Sequence, residues 1–337
     1  MMPKFYLVAV RILINSCQHV KVVQVNFLSK NELTEKYGKI PWISPYRKLV
    51  AVTDGEFIEL HEYHARGKCI GGSAWEIYHY PRVSDLIISA RREGARNIFV
   101  LKKGETELRL IPGIAGAGIE SAIIKDSSIE ITYSGLAGGG IAATVCRGLA
   151  EGVDGIEIIN LGGGAELGRA KIRLKPYRKV VIGIDDTDSR EGGATWALAN
   201  EIAHALEQDG FGHYLSHAIV QLYTRTPEKT TNCVSIAVTF ATENKEKLVS
   251  EFATRLRETT LSDETAMAVW DKVLIPDELK KYAENAKSRV VQIDEAMKVA
   301  EKLNIQVVEI TGKRGVIGAI ASLGFADDPD GAVMVYA

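Results

Sequence analysis

One stretch constrains this chain more than any other: residues 179–196, KVVIGIDDTDSREGGATW. The apolar run 180–184 has the length of a buried strand. It ends in three carboxylates within four residues, Asp185, Asp186 and Asp188. Gly192 and Gly193 follow, and Thr195 stands where a helix begins. Buried strand, acidic tip, glycine loop and helix start together suit a site that handles a metal and a phosphate. The rest of the chain is then support for that site, or a means of choosing its substrate.

A length of 337 residues predicts about two domains. With 46% hydrophobic and 25% charged residues the chain reads as an ordinary globular protein. A net charge of -2 argues against a protein that coats nucleic acid. Cys17, Cys69, Cys146 and Cys233 are far apart and form no C-x-x-C pair. That disfavours a zinc ribbon or a disulfide framework and predicts a cytoplasmic, reducing location. No apolar run reaches the roughly 18–20 residues of a membrane span. The apolar segment 5–14, interrupted by Arg11, reads as an edge strand or an upstream extension.

The predicted fold class is α+β: two α/β-type domains, with the boundary in a linker at 176–179. Residues 1–30 form an N-terminal extension, 31–176 an α+β substrate-recognition domain, and 177–337 the domain that carries the acidic tip. In the first domain, strands at 49–52 and 57–60 flank Asp54-Gly55, a strong hairpin signal. A helix is predicted over 85–93 with Gly94 as its stop, and strands over 97–101, 107–111, 129–133, 155–159 and 170–174. The glycine run 138–140 precedes a helix predicted over 141–151. In the second domain, strands and helices at 180–184, 194–208, 217–223, 234–240, 245–257 and 265–270 give the order β-α-β-β-α-β, a ferredoxin-like core. Extra helices are predicted over 276–288, 294–303 and 316–323, with strands over 306–310 and 333–336.

Clustered carboxylates repel one another, so a cation is a natural reason to assemble Asp185, Asp186 and Asp188. Oxygen ligands with substrate phosphates suit Mg2+. A solvated turn explains the same residues. Thr195 has the position of a helix cap and, beside glycines and helix N–H groups, that of a phosphoryl acceptor. Two basic loops end strands of the same domain: 224–232, with Arg225 and Lys229, and 312–315, with Lys313 and Arg314 beside a helix start. Both suit polyphosphate charge; surface solubility is the plainer role. The glycine runs at 113–118 and 135–140 are not Walker loops. His61, His64, Cys69 and His79 match no closed zinc spacing and read as scattered surface residues.

The strings GIDDTDSREGGATW, PEKTTN, SDETAMAVW and ITGKRGVIGAIASLG occur in order from residue 183 onward. They resemble the kinase-like catalytic domain of archaeal tRNA-isoleucine agmatinylcytidine synthetase. PWISPYRKLVAV, GGSAWEIYHYP and GLAGGGIAATVCR, earlier in the chain, resemble the methanogenesis marker protein 11 family. The first resemblance implies that Asp185, Asp186 and Asp188 hold Mg2+ and ATP, that Thr195 is phosphorylated, and that Lys229, Lys313 and Arg314 lie near the phosphates. The chain departs from the synthetases in lacking paired cysteines and in having Trp196 after Thr195. These departures and the acidic balance speak against tRNA recognition.

The expectation is a Mg2+- and ATP-dependent phosphotransferase or ligase of methanogenic archaea. It would activate a substrate oxygen by phosphorylation, with Asp186, Asp188, Thr195, Lys229 and Arg314 at the chemistry. Asp185, Gly192, Gly193 and Lys313 would help to bind the nucleotide. The second resemblance implies a methanogenesis protein (methyl-coenzyme M reductase among them), a cofactor precursor or an RNA as substrate. Two rivals remain: a nucleotide-binding assembly or regulatory protein, and a tRNA-modifying enzyme. No membrane partner is expected, and a homo-oligomer is compatible with the sequence.

Overall fold

Local turn chemistry builds the first sheet. In the computed structural model, which describes residues 27–230 and 232–335, helix α1 (Lys30–Tyr37) starts at Ser29, paired reciprocally with Glu32. The readings placed on residues 5–14 and on Tyr336 lie outside the described residues. Asp54-Gly55 forms the expected hairpin between β1 (Tyr46–Thr53) and β2 (Phe57–Ala65). The Asp54 carboxylate accepts the Glu56 and Phe57 N–H groups inside the turn. Helix α2 (Ile70–Val83) follows, where no helix was predicted.

Residues 85–93 are not helical: β3 (Ile87–Glu93) pairs antiparallel with β4 (Arg96–Lys102). Gly94, taken for a helix stop, has φ 60° and turns that hairpin. A left-handed glycine serves either purpose; pairing with β4 decides. No strand forms over 107–111, where the Arg109 N–H goes to the Val83 carbonyl and that of Ile111 to Ala115.

An antiparallel sheet follows from β5 (Gly104–Glu105), β6 (Ala117–Lys125), β7 (Ser128–Leu136), β8 (Val153–Asn160) and β9 (Leu167–Leu174), in spatial order β5-β6-β7-β9-β8. The glycines at 138–140 lie within the short helix α3 (Ala137–Ile141), not ahead of a helix, and a π-turn over Ala142–Cys146 continues it. Close backbone contact requires this: a Cβ on Gly140 would stand 2.6 Å from the Gly135 carbonyl oxygen.

The second half comprises β10 (Pro176–Asp185), α4 (Thr195–Gln208), β11 (His213–Gln221), β12 (Val234–Thr242), α5 (Lys245–Thr259) and β13 (Ala266–Trp270). Their spatial order is β11-β12-β10-β13, antiparallel throughout, and β14 (Gln306–Glu309) adds to β13. Residues 176–179, read as a linker, begin β10, and Pro176 and Tyr177 pair in parallel with Ala51 and Val52. One nine-stranded sheet therefore runs through both halves. Lys179 is buried at this junction, its Nζ 2.8 Å from Glu59 Oε2 and 3.0 Å from Asp327 Oδ1.

Helices α6 (Asp277–Ser288), α7 (Ile293–Leu303) and α8 (Val316–Leu323) cover one face of β10. Helices α4 and α5 cover the other, packing on Val180, Ile182 and Ile184. Alternation along the strand explains the division, and burial on both faces explains its unbroken apolar run. The predicted strand over 333–336 is, as far as residue 333, helix α9 (Pro329–Val333), whose start Asp328 caps. The fold is mixed α+β. Among the described residues no helix is long and apolar enough to cross a membrane.

Candidate active site

The acidic tip is shaped by one backbone angle. On an extended strand Asp185 would face away from Asp186 and Asp188. Asp186 adopts φ 57°, a left-handed conformation that aspartate tolerates better than most residues. All three carboxylates thereby line one cavity of about 250 Å3. Asp185 Oδ1 accepts the Asp186 N–H at 2.8 Å. Burial, then the negative charges of Asp186 and Asp188, push the Asp185 carboxyl well above the usual range, against the Asp186 N–H and Arg314. Asp186 holds Arg314 through both oxygens, at 2.9 and 3.3 Å. Asp188 accepts the hydroxyls of Thr195, at 3.3 Å, and Thr230, at 2.8 Å.

The loop after β11 delivers Lys229 and Thr230 to the cavity. The loop before α8 delivers Arg314 and not Lys313, whose side chain is 67% exposed and whose ammonium lies 3.3 Å from Glu309. The N–H groups of Lys313 and Arg314 donate to Glu264 Oε2 at 3.1 and 3.0 Å. Those donations, that of Arg314 first, lower the Glu264 pKa.

Gly192, Gly193 and Thr195 stand behind the cavity wall. Gly193, at φ 93°, passes so close to Asp188 that an added Cβ would lie 3.1 Å from its Cα. Thr195 is 5% exposed and is the first residue of α4. The residue ahead of it, Ala194, supplies no side-chain cap. The Thr195 hydroxyl donates to Asp188 and receives one from Thr187 at 3.0 Å, so it does not cap the helix. His61 and His64 are buried, not surface residues.

One wall was missed. Ala286, Arg289, Val290, Val291 and Ile293, at the α6–α7 junction, line the cavity opposite the carboxylates. The Tyr223 N–H ties this wall to the β11 loop through the Ala286 carbonyl at 2.9 Å. Its signal was faint: an apolar pair, Val290-Val291, between two polar-faced helices. Cys233 also lines the cavity; burial, then Asp185, pushes its thiol up to about 11. Among the described residues no three His, Cys, Asp or Glu side chains form a ready metal cluster. The cavity thus has an acidic end carrying two cations, Lys229 and Arg314, and an apolar end. That polarity suits an anionic chain joined to a flat apolar group.

The family described as the TiaS TCKD domain matches residues 181–246, which span the tip, α4, β11 and β12. The tRNA 2-agmatinylcytidine synthetase TiaS of Pyrococcus horikoshii is 31% identical over 150 residues, 43% of this chain and 35% of that protein. The chain therefore spans about a third of the length of this relative. A crystal structure of TiaS in complex with its tRNA and ATP is 29% identical, with a TM-score of 0.42, over 44% of this chain and 36% of that one. A much broader match is the uncharacterized protein MJ0921 of Methanocaldococcus jannaschii, 45% identical over 286 residues, 84% of this chain and 94% of that protein. On the extent of that match, the chain belongs to the family of MJ0921.

Proposed function

We propose that the protein is a Mg2+- and ATP-dependent phosphotransferase- or ligase-type enzyme that activates a substrate oxygen by phosphorylation in the second half of the chain. The observation that carries this reading is the convergence of Asp185, Asp186, Asp188, Lys229 and Arg314 on one cavity with an apolar far wall. The wall of Val290, Val291 and Ile293 would take the base, and Lys229 and Arg314 the phosphates. Carboxylate oxygens suit magnesium, which would require the three aspartates, not a metal cluster as they stand, to draw together. Asp185, Asp186 and Asp188 would hold it, Asp186 by yielding its grip on Arg314. When bound, the ion screens the phosphate charges. Arg314, so released, is placed to meet charge developing on the transferred group. Thr195 holds Asp188 and is the candidate phosphoacceptor; Gly192 and Gly193 allow the loop to return over Asp188. Lys313 would reach the nucleotide only by leaving Glu309.

The sequence similarity to synthetases named for a tRNA supports an ATP-using domain. The lining residues all lie after Pro176. A small substrate would therefore be selected by the 286–293 wall, and a methanogenesis protein or an RNA by surfaces beyond the cavity.

The test is equilibrium binding and turnover of isotope-labelled ATP with and without magnesium. Magnesium-dependent binding lost in Asp186→Asn, with steady release of ADP, AMP or phosphate, is expected. Tight binding without release would instead mark a regulatory nucleotide-binding protein. Agmatine-dependent labelling of tRNA would mark a tRNA-modifying enzyme. Unchanged ATP affinity in Asp186→Asn would overturn the nucleotide site itself.

A further inference from the structure

The first half of the chain has its own cavity, of about 560 Å3, bounded by Trp42, Tyr46, His64, Cys69 and Ile141, with Arg66 and Lys68 on its lining. It is remote from the acidic tip. Tyr46 precedes Ala51 by five residues and Asp185 follows Pro176 by nine in the parallel β1–β10 pair. At the usual rise per residue that separates them by roughly 45 Å.

Cys69 is exposed and immediately precedes the first turn of the 14-residue helix α2. No side chain caps that end. The Ile70 N–H goes to the Lys68 carbonyl and that of Ser73 to Cys69. Among the described residues, the N–H groups of Gly71 and Gly72 have no partner. Unpaired donors at a helix start favour a thiolate and an oxyanion. A Cβ on Gly72 would stand 2.3 Å from His64 Cε1, 2.7 Å from its Nε2 and 2.9 Å from Cys69 Sγ. Thiol and imidazole thus flank one gap that only glycine leaves open. His64 is 8% exposed, its Nδ1 has no hydrogen-bond partner, and its Nε2 lies 3.5 Å from Glu76 Oε1. Glu76 is itself fixed by Arg147 at 2.9 Å, Tyr80 at 3.1 Å and Asn97 at 2.7 Å. A buried imidazole with an idle nitrogen beside a thiol and two free N–H groups has the parts of a nucleophilic centre.

We propose that Cys69 is the nucleophile of an acyl-transfer site, with His64 as its base and Glu76 as the residue that positions the imidazole. Nε2, the ring nitrogen on the side of the gap, takes the thiol proton, and the Glu76 carboxylate beside it holds the imidazolium that forms. The sulfur attacks the carbonyl carbon of an activated acid, and the oxyanion turns to the Gly71 and Gly72 N–H groups. Collapse breaks the bond to the leaving group, which departs with the proton from His64, and the acyl group stays on Cys69 as a thioester. Arg66 and Lys68 suit an anionic leaving group, a phosphate or the thiolate of a phosphorylated carrier. None of this depends on the ATP reading.

The test uses the full chain with acetyl phosphate, acetyl-coenzyme A and 4-nitrophenyl acetate separately, read by intact mass and peptide mapping. The expected result is acetylation of Cys69, reversed by hydroxylamine and lost in Cys69→Ser. Labelling by acetyl phosphate or by acetyl-coenzyme A identifies the leaving group. His64→Gln should slow labelling at neutral pH by at least about tenfold. His64→Gln should also slow alkylation of Cys69 by iodoacetamide at neutral pH, since the thiolate is the reacting form. No acetylation at Cys69 by any of the three reagents, or labelling and alkylation rates unchanged in His64→Gln, overturns the proposal.

Discussion

Gly318 is the space that the Asp185 carboxylate occupies: a Cβ built on Gly318 would stand 1.8 Å from Asp185 Oδ2. Alanine normally favours a helix over glycine by about 1 kcal/mol. Here Gly318→Ala should destabilise by about 1–3 kcal/mol, as overpacking does. In an Asp185→Ala background most of that loss should vanish. Urea unfolding of the two single variants and the double variant measures the coupling.

Arg314 and Lys313 are neighbours in sequence and point to different partners, Asp186 and Glu309. If the cavity binds ATP, Arg314→Ala should weaken binding by 10- to 100-fold, about 1.4–2.8 kcal/mol. Lys313→Ala should change it by less than about twofold, in line with an exposed pair. Titration of both variants with ATP and magnesium decides; equal losses would place the phosphates elsewhere.

Thr195 separates two roles. Labelled ATP should mark the unaltered protein and Thr195→Ser, and leave Thr195→Ala unmarked. Thr195→Ala should also lose about 1 kcal/mol through its hydrogen bond to Asp188. Absence of label in the unaltered protein would leave Thr195 with the positioning role alone.

Glu76 should govern acid stability of the first half. Burial works to raise its pKa, but Arg147 and the contacts from His64 and Tyr46 outweigh it, pulling it down to about 2. A carboxyl lowered in the folded state stabilises above its unfolded value, about 4.3, and that stabilisation is lost as pH falls toward the folded value. Unfolding free energy should therefore fall from about pH 4.5 toward pH 2, and less steeply in Glu76→Gln. At neutral pH that substitution should cost about 1–3 kcal/mol, because buried Arg147 loses one charged hydrogen bond and keeps its pair with Glu62.

Much of the second half was legible because its signals are local. The apolar run of β10 and the spacing of Leu198, Ala199, Ile202, Ala203 and Leu206 in α4 require no knowledge of the rest of the chain. Gly94 shows the limit. Its left-handed geometry is required at a helix end and in a hairpin alike, so residues 85–93 were assigned to the wrong element. Pro176 to Lys179 failed for a related reason: a proline and three polar or aromatic residues look like a linker until β1 is seen beside them.

By itself the sequence determined that three carboxylates end a buried strand, with glycines and a helix start close behind, since chain adjacency alone guarantees that. Tertiary structure decided what faces them. It brought the 286–293 wall across from a point a hundred residues away and turned Arg314 inward while Lys313 went out. It also seated Glu264 on the N–H groups of Lys313 and Arg314. Such choices depend on long-range packing and competition for buried hydrogen bonds, and neither leaves a periodic trace in the chain.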